Sequence, residues 1–133
     1  MADVALRTVL PAQTAAGATS VTIMGEVPTT FAQTTYQVQR ASLTSPTAVT
    51  GVATNNFTVN FRNLRGGTPQ ATFSTATFGL NTNLAVEVPF AATGGGTTTA
   101  VTVNAGDLID VQLVQNGTGL AVPVGIVASV ELA

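Results

Sequence analysis

The sequence predicts an all-β chain: one antiparallel β-sandwich, jelly-roll-like, with about eight strands over residues 1–133. Three observations carry this expectation. Apolar and polar residues alternate with period two in run after run, the pattern of a sheet with one buried face. Threonine, valine and phenylalanine fill those runs, and these types suit a pleated, half-buried surface. Clusters of glycine, asparagine, proline and serine separate them at spacings of about 8–14 residues, the rhythm of sandwich turns.

Val4 to Leu10 reads as an extended N-terminal arm within residues 1–12, with Val4, Leu6 and Thr8 on one side and Arg7 and Val9 on the other. A short helix closed by Pro11 is the alternative. Strands are then expected at Ser20–Met24 and Thr34–Arg40. Asn56–Arg62 follows, with Phe57, Val59 and Phe61 on the core face and Thr58, Asn60 and Arg62 opposite. Ala71–Phe78, Leu84–Phe90 and Thr98–Asn104 come next. Asp107–Leu113 turns Ile109, Val111 and Leu113 inward and Asp110 and Gln112 outward, and the last run aligns Val124, Ile126, Ala128, Val130 and Leu132. Between them lie Arg65-Gly66-Gly67-Thr68-Pro69, Gly94-Gly95-Gly96, Asn104-Ala105-Gly106-Asp107 and Asn116-Gly117-Thr118-Gly119, where glycine supplies positive φ and asparagine tolerates it. One sandwich accounts for the whole length, with no linker and no fixed-period repeat.

Composition narrows the function. Cysteine, histidine and lysine are absent. The only basic residues are Arg7, Arg40, Arg62 and Arg65, set against Asp3, Glu26, Glu87, Asp107, Asp110 and Glu131. Charged residues make up 8% of the chain, where an ordinary soluble domain carries about a quarter. So little charge suits a surface covered by partners, or one solvated by threonine, asparagine and glutamine. Four scattered arginines build no basic patch, so nucleic acid is not an expected partner. No run approaches the roughly 20 apolar residues of a membrane helix, and the opening MADVALRTVLPAQ lacks a basic leader, so neither membrane nor secretion is expected.

Catalytic constellations fare poorly. Without histidine, cysteine or lysine there is no base for a nucleophilic triad and no imidazole or thiolate for zinc or copper. Asp107 and Asp110 are the one close pair of acids, and paired carboxylates can hydrolyse glycosides when about 5–9 Å apart. Three residues apart on a strand, however, they point to opposite faces. The plainer reading has Asp107 closing the Asn104–Asp107 turn and Asp110 on a solvated face; a calcium site at Asp107 would lack the ligand-dense loop that calcium prefers. Gly94-Gly95-Gly96-Thr97 lacks the lysine and following helix of a phosphate loop and reads as a hairpin tip. Asn56-Phe57-Thr58 and Asn116-Gly117-Thr118 match the glycosylation pattern, the second being better read as a turn. No catalytic residue, cofactor or metal is therefore expected.

The candidate contact residues are Val4, Leu6, Arg7, Val9 and Leu10 on the arm and Arg62 and Arg65 beside the glycine loop. Arginine is favoured at interfaces, although a pair of solvated loop arginines is the alternative for Arg62 and Arg65. The apolar arm must be tied down or fray. It can complete its own sheet or lie across a neighbour by strand addition, and both fates stay open.

From Ala48 onward the chain carries VTGVATNNFTVNFRNLRGG, then FGLNTNLAVEVPFAAT, then VNAGDLIDVQLVQNGTGLAVPVGIVASVEL. These stretches resemble small virion proteins encoded by tailed phages of actinobacteria. In that pattern a turn like Ala53-Thr54-Asn55 precedes an apolar strand and a basic-glycine loop. The pattern closes with an Ala105-Gly106-Asp107 turn, a strand, Gly117-Thr118-Gly119-Leu120 and a last strand from Pro123 to Leu132. Pro123-Val124-Gly125 departs from it, since the group tends to place proline and glycine side by side. The resemblance implies a capsid decoration protein: a non-catalytic sandwich on the outside of the head, contacting the major capsid protein and forming a homotrimer. It also implies synthesis in the bacterial cytoplasm. The alternative within the same group of particles is a tail or head-fibre module that binds host-surface carbohydrate, for which Tyr36 and six phenylalanines offer few platforms. A carboxylate hydrolase resting on Asp107 and Asp110 is the third expectation to test.

Overall fold

The structure is a computed structural model that describes residues 4–64, 68–76, 79–88 and 101–133. The strands are β1 (Val4–Val9), β2 (Ser20–Glu26), β3 (Thr35–Thr44), β4 (Asn55–Asn63), β5 (Thr68–Ser74), β6 (Ala85–Glu87), β7 (Val101–Asn104), β8 (Leu108–Gly117) and β9 (Val127–Leu132). They form two antiparallel sheets. One runs β1-β9-β3-β6, with β7 also on β3; the other runs β2-β8-β4-β5. β6 covers Ser42–Thr44 of β3 and β7 covers Thr35–Val38, so the two make one interrupted edge.

The pairings are nested. β1 pairs β9, β2 pairs β8, β3 pairs β6 and β7, and β4 pairs β5. The chain thus follows the path of one long hairpin, with β4–β5 at its tip, rolled so that alternate pairs fall in alternate sheets. That is the jelly roll, and it confirms the sandwich expected from periodicity. The opening segment is β1, hydrogen-bonded through its whole length to β9 of the same chain, from Val4 opposite Leu132 to Val9 opposite Val127.

The two inner faces meet in one core. β4 contributes Phe57, Val59 and Phe61; β5 contributes Ala71 and Phe73; β8 contributes Ile109, Val111 and Leu113. From the facing sheet come Tyr36, Leu43, Ala128, Val130 and Leu132. Each fully buried phenylalanine or leucine stabilises the fold by about 1.5–3 kcal/mol relative to its exposure. Two strands change phase along their length. In β3, Tyr36 and Val38 point inward and so do Ala41 and Leu43, because the register with β9 shifts between Val38 and Arg40. The extra residue keeps both apolar pairs in the core. A similar shift in β2 falls between Ile23 and Gly25. Val124, expected in the inward row of the last strand, is 75% exposed. It precedes the turn at Gly125 (φ +93°), so it lies outside the ladder.

Candidate docking face

β2 is amphipathic in reverse. Ser20 stands opposite Leu113 and Thr22 opposite Val111, so these two hydroxyl residues face the core side of the sheet. Val21 stands opposite Gln112 and Ile23 opposite Asp110, so both aliphatic side chains face outward, 53% and 52% exposed. The Ser20 hydroxyl is buried with no hydrogen-bond partner. A one-residue slip would bury the aliphatics and expose the hydroxyls, yet the register with β8 holds the opposite choice. Among the described strands, β2 is an edge of its sheet and β1 an edge of the other, with Val9 exposed on β1.

Beside this apolar strip the outer face is an ordered polar lattice. Asn60 donates from Nδ2 to Gln112 Oε1 (3.2 Å) and accepts at Oδ1 from Thr72 Oγ1 (3.0 Å). Asn116 Nδ2 donates to Asn56 Oδ1 (3.0 Å) and Thr58 Oγ1 (2.9 Å). These cross-strand bonds hold the side chains in place, so a partner docking here would lose little rotamer entropy.

Arg62, Asp110 and Asp107 serve the fold. Asp110, expected on a solvated face, does point outward but has no exposed surface, because Arg62 on β4 covers it with a two-pronged ion pair. The Asp110 hydrogen bond raises Arg62 above its ordinary pKa; burial opposes this, and the carboxylate charge adds to the rise. Arg62 is thus a strand residue engaged within its own chain. Asp107 is buried at the Asn104–Asp107 turn, where its Oδ2 accepts from Asn104 N (2.9 Å) and Asn63 Nδ2 (2.8 Å). The two acids therefore face different partners. On the other sheet, Arg40 approaches Glu131 at 4.0 Å in an exposed pair.

Of the arm residues, Arg7 and Val9 are exposed, Val4 and Leu6 are half-buried against the core, and Leu10 is buried. Arg65 and the Gly94–Gly96 tip lie outside the described residues. Tyr36 is buried, and Phe31 is the one exposed aromatic side chain among the described residues. Sequence reasoning named β2 as a strand but missed Val21 and Ile23 as contacts. The signal was present: alternation alone fixes that Val21 and Ile23 share a face, while only the pairing with β8 tells which face.

Comparison with protein-family models, curated proteins and solved structures finds no match for this chain.

Proposed function

We propose that this chain is a non-catalytic structural subunit that decorates the outside of a phage capsid, gripping the shell through the outer face of β2. The observation that carries the reading is the reversed strand, with Val21 and Ile23 outward and the Ser20 hydroxyl buried. An arrangement that costs the free subunit stability is understandable where a partner covers the aliphatics. The resemblance of the sequence from Ala48 onward to small phage virion proteins supplies the identity of that partner, the major capsid protein. Jelly rolls also serve as lectins and enzymes, so the fold alone carries no function. The engagement of Asp107 and Asp110 in structural bonds, and of Tyr36 in the core, favours the shell over a hydrolase or a carbohydrate module.

At the shell, Val21 and Ile23 would bury apolar area at about 25 cal/mol per Å², and the locked polar lattice would form the rim. Binding the assembled shell and not its dissociated subunits stabilises the particle by mass action. The test is cryo-electron microscopy of the particle whose genome encodes this chain. Density for the sandwich at regular head positions, with β2 against the shell, is the expected result. Confinement to the tail would replace the reading with the adhesion alternative, and absence from the particle would overturn both.

A further inference from the structure

The sequence contains a single Asn-Gly step, Asn116-Gly117, where β8 runs out into the loop before β9. Asparagine followed by glycine is the most labile step of a flexible chain, because no side chain shields the glycine nitrogen. That nitrogen attacks Asn116 Cγ, forming a C–N bond and a five-membered imide. Nδ2 leaves as ammonia, taking up through solvent the proton that the glycine nitrogen gives up. Water then opens the imide at either carbonyl and leaves aspartate or isoaspartate.

The fold requires the glycine. Gly117 stands at φ +66°, and a Cβ there would run into the Thr54 carbonyl. The asparagine is restrained instead. Its Nδ2, the group that must leave, donates to Asn56 Oδ1 (3.0 Å) and Thr58 Oγ1 (2.9 Å), with Val114 O at 3.5 Å. Asn56 is buried and held in its turn, because its own Nδ2 donates to Val52 O (3.0 Å) and Ala53 O (3.1 Å). The backbone is held as well: Asn116 stands opposite Asn56 and Gly117 opposite Asn55 on β4. Beyond them, Gly119 N donates to Asn116 O (3.1 Å), Thr118 N to Thr54 O (3.3 Å) and Thr118 Oγ1 to Asn55 Oδ1. Bringing Gly117 N onto Asn116 Cγ turns the peptide plane between them out of the extended strand, so these contacts must break first.

We propose that Asn116-Gly117 is a latent deamidation site, kept closed by the bonds of Asn116 to Asn56 and Thr58 and opened only when this end of β8 leaves β4. The inference invokes no partner and stands without the shell contact. Gly117 and Thr118 are exposed, so the water that completes the reaction is at hand once the step opens. The change then retains itself. A carboxylate at position 116 has no donor for Asn56 Oδ1, which the bonds to Val52 and Ala53 hold in place. It also adds a negative charge to a chain of net charge −2. A subunit that has opened here carries the mark in its outer polar face.

Peptide mass mapping of the full chain after incubation in mildly alkaline buffer, with aspartate and isoaspartate both scored, tests it. Conversion at Asn116 in the folded chain should be at least about tenfold slower than in the same chain in urea, since only the open fraction reacts. Thr58→Val, at a half-buried position, removes one acceptor and should speed conversion in native buffer at least about threefold. Asn56→Ala should speed it further, and Thr58→Val carries the test should that variant fail to fold. Gly106→Ala, which strains the opposite end of β8, should stay within about twofold of the wild type. Asn116→Asp should unfold at a lower urea midpoint than the wild type. Equal rates in native buffer and urea, no acceleration in Thr58→Val, or equal acceleration in Gly106→Ala would each overturn the protected site, and an unchanged midpoint for Asn116→Asp would overturn the retained mark.

Discussion

Arg62 holds Asp110 with both prongs of its guanidinium, Nε 2.9 Å from Oδ1 and Nη2 2.5 Å from Oδ2. The residues stand directly opposite on β4 and β8. Because the carboxylate has no exposed surface, the pair is a closed unit in which each charge depends on the other.

Removing one member should therefore cost more than removing both. Arg62→Ala leaves a buried, unpaired carboxylate, and the expected loss is about 3–5 kcal/mol in urea denaturation. Arg62→Met with Asp110→Leu should recover most of that, and Arg62→Lys should not, since an ammonium cannot make the fork. Equal losses in the single and double variants would contradict the pairing.

The folded pKa of Arg62 lies above its unfolded value, so its share of stability is complete below that unfolded value and is lost only on rising through the folded one. No loss of stability attributable to Arg62 is expected between about pH 7 and 11. Comparing the alkaline limbs of wild type and the Arg62→Met, Asp110→Leu variant checks this, because they should run parallel.

Ser20→Ala should leave stability unchanged or raise it by about 1 kcal/mol, because it removes a buried hydroxyl that makes no hydrogen bond. Thermal unfolding at fixed concentration reads the shift. A loss above about 1 kcal/mol would mean that the hydroxyl is satisfied in solution.

Thr75→Val goes the other way. The Thr75 hydroxyl accepts from Phe57 N at 2.9 Å and donates to Phe57 O at 3.3 Å, both buried. The isosteric valine should cost about 1–3 kcal/mol, with the Phe57 amide newly exchangeable by hydrogen–deuterium exchange.

Two glycines separate strain from crowding. Gly106→Ala meets only φ +87°, its nearest new neighbour being Thr29 at 3.7 Å, and should cost about 1 kcal/mol. Gly117→Ala meets φ +66° and a Thr54 carbonyl oxygen 1.8 Å from the new Cβ. It should cost clearly more, and denaturation midpoints in the reverse order would refute the close approach of these loops.

Local pattern made most of the fold legible. Phe57, Val59 and Phe61, and Ile109, Val111 and Leu113, point inward as alternation requires. β3 was readable only as far as Arg40, because the bulge there reverses the alternation and its continuation to Thr44 depends on pairing with β9. β1 had two possible destinations, and choosing between them required a strand more than a hundred residues away. The docking face was less legible for the same reason. Asp110 meets Arg62 across 48 residues of sequence, and the outward turn of Val21 and Ile23 is a fact about register. Periodicity says which side chains share a face; only the pairing says which face is inside.

The nested order of the strands also has a consequence for synthesis. β9 lies between β1 and β3, so the first strand made cannot take its place in a sheet until Val127–Leu132 has left the ribosome. Among the described strands, only β4 and β5 are consecutive partners, so this innermost pair can form first as the chain emerges. Val21 and Ile23 must wait, beside an unpaired strand, for β8. During that interval the growing chain displays aliphatic residues and open backbone with almost no charge to keep nascent chains apart. The nascent chain, rather than the finished subunit, is therefore the form most in need of a chaperone.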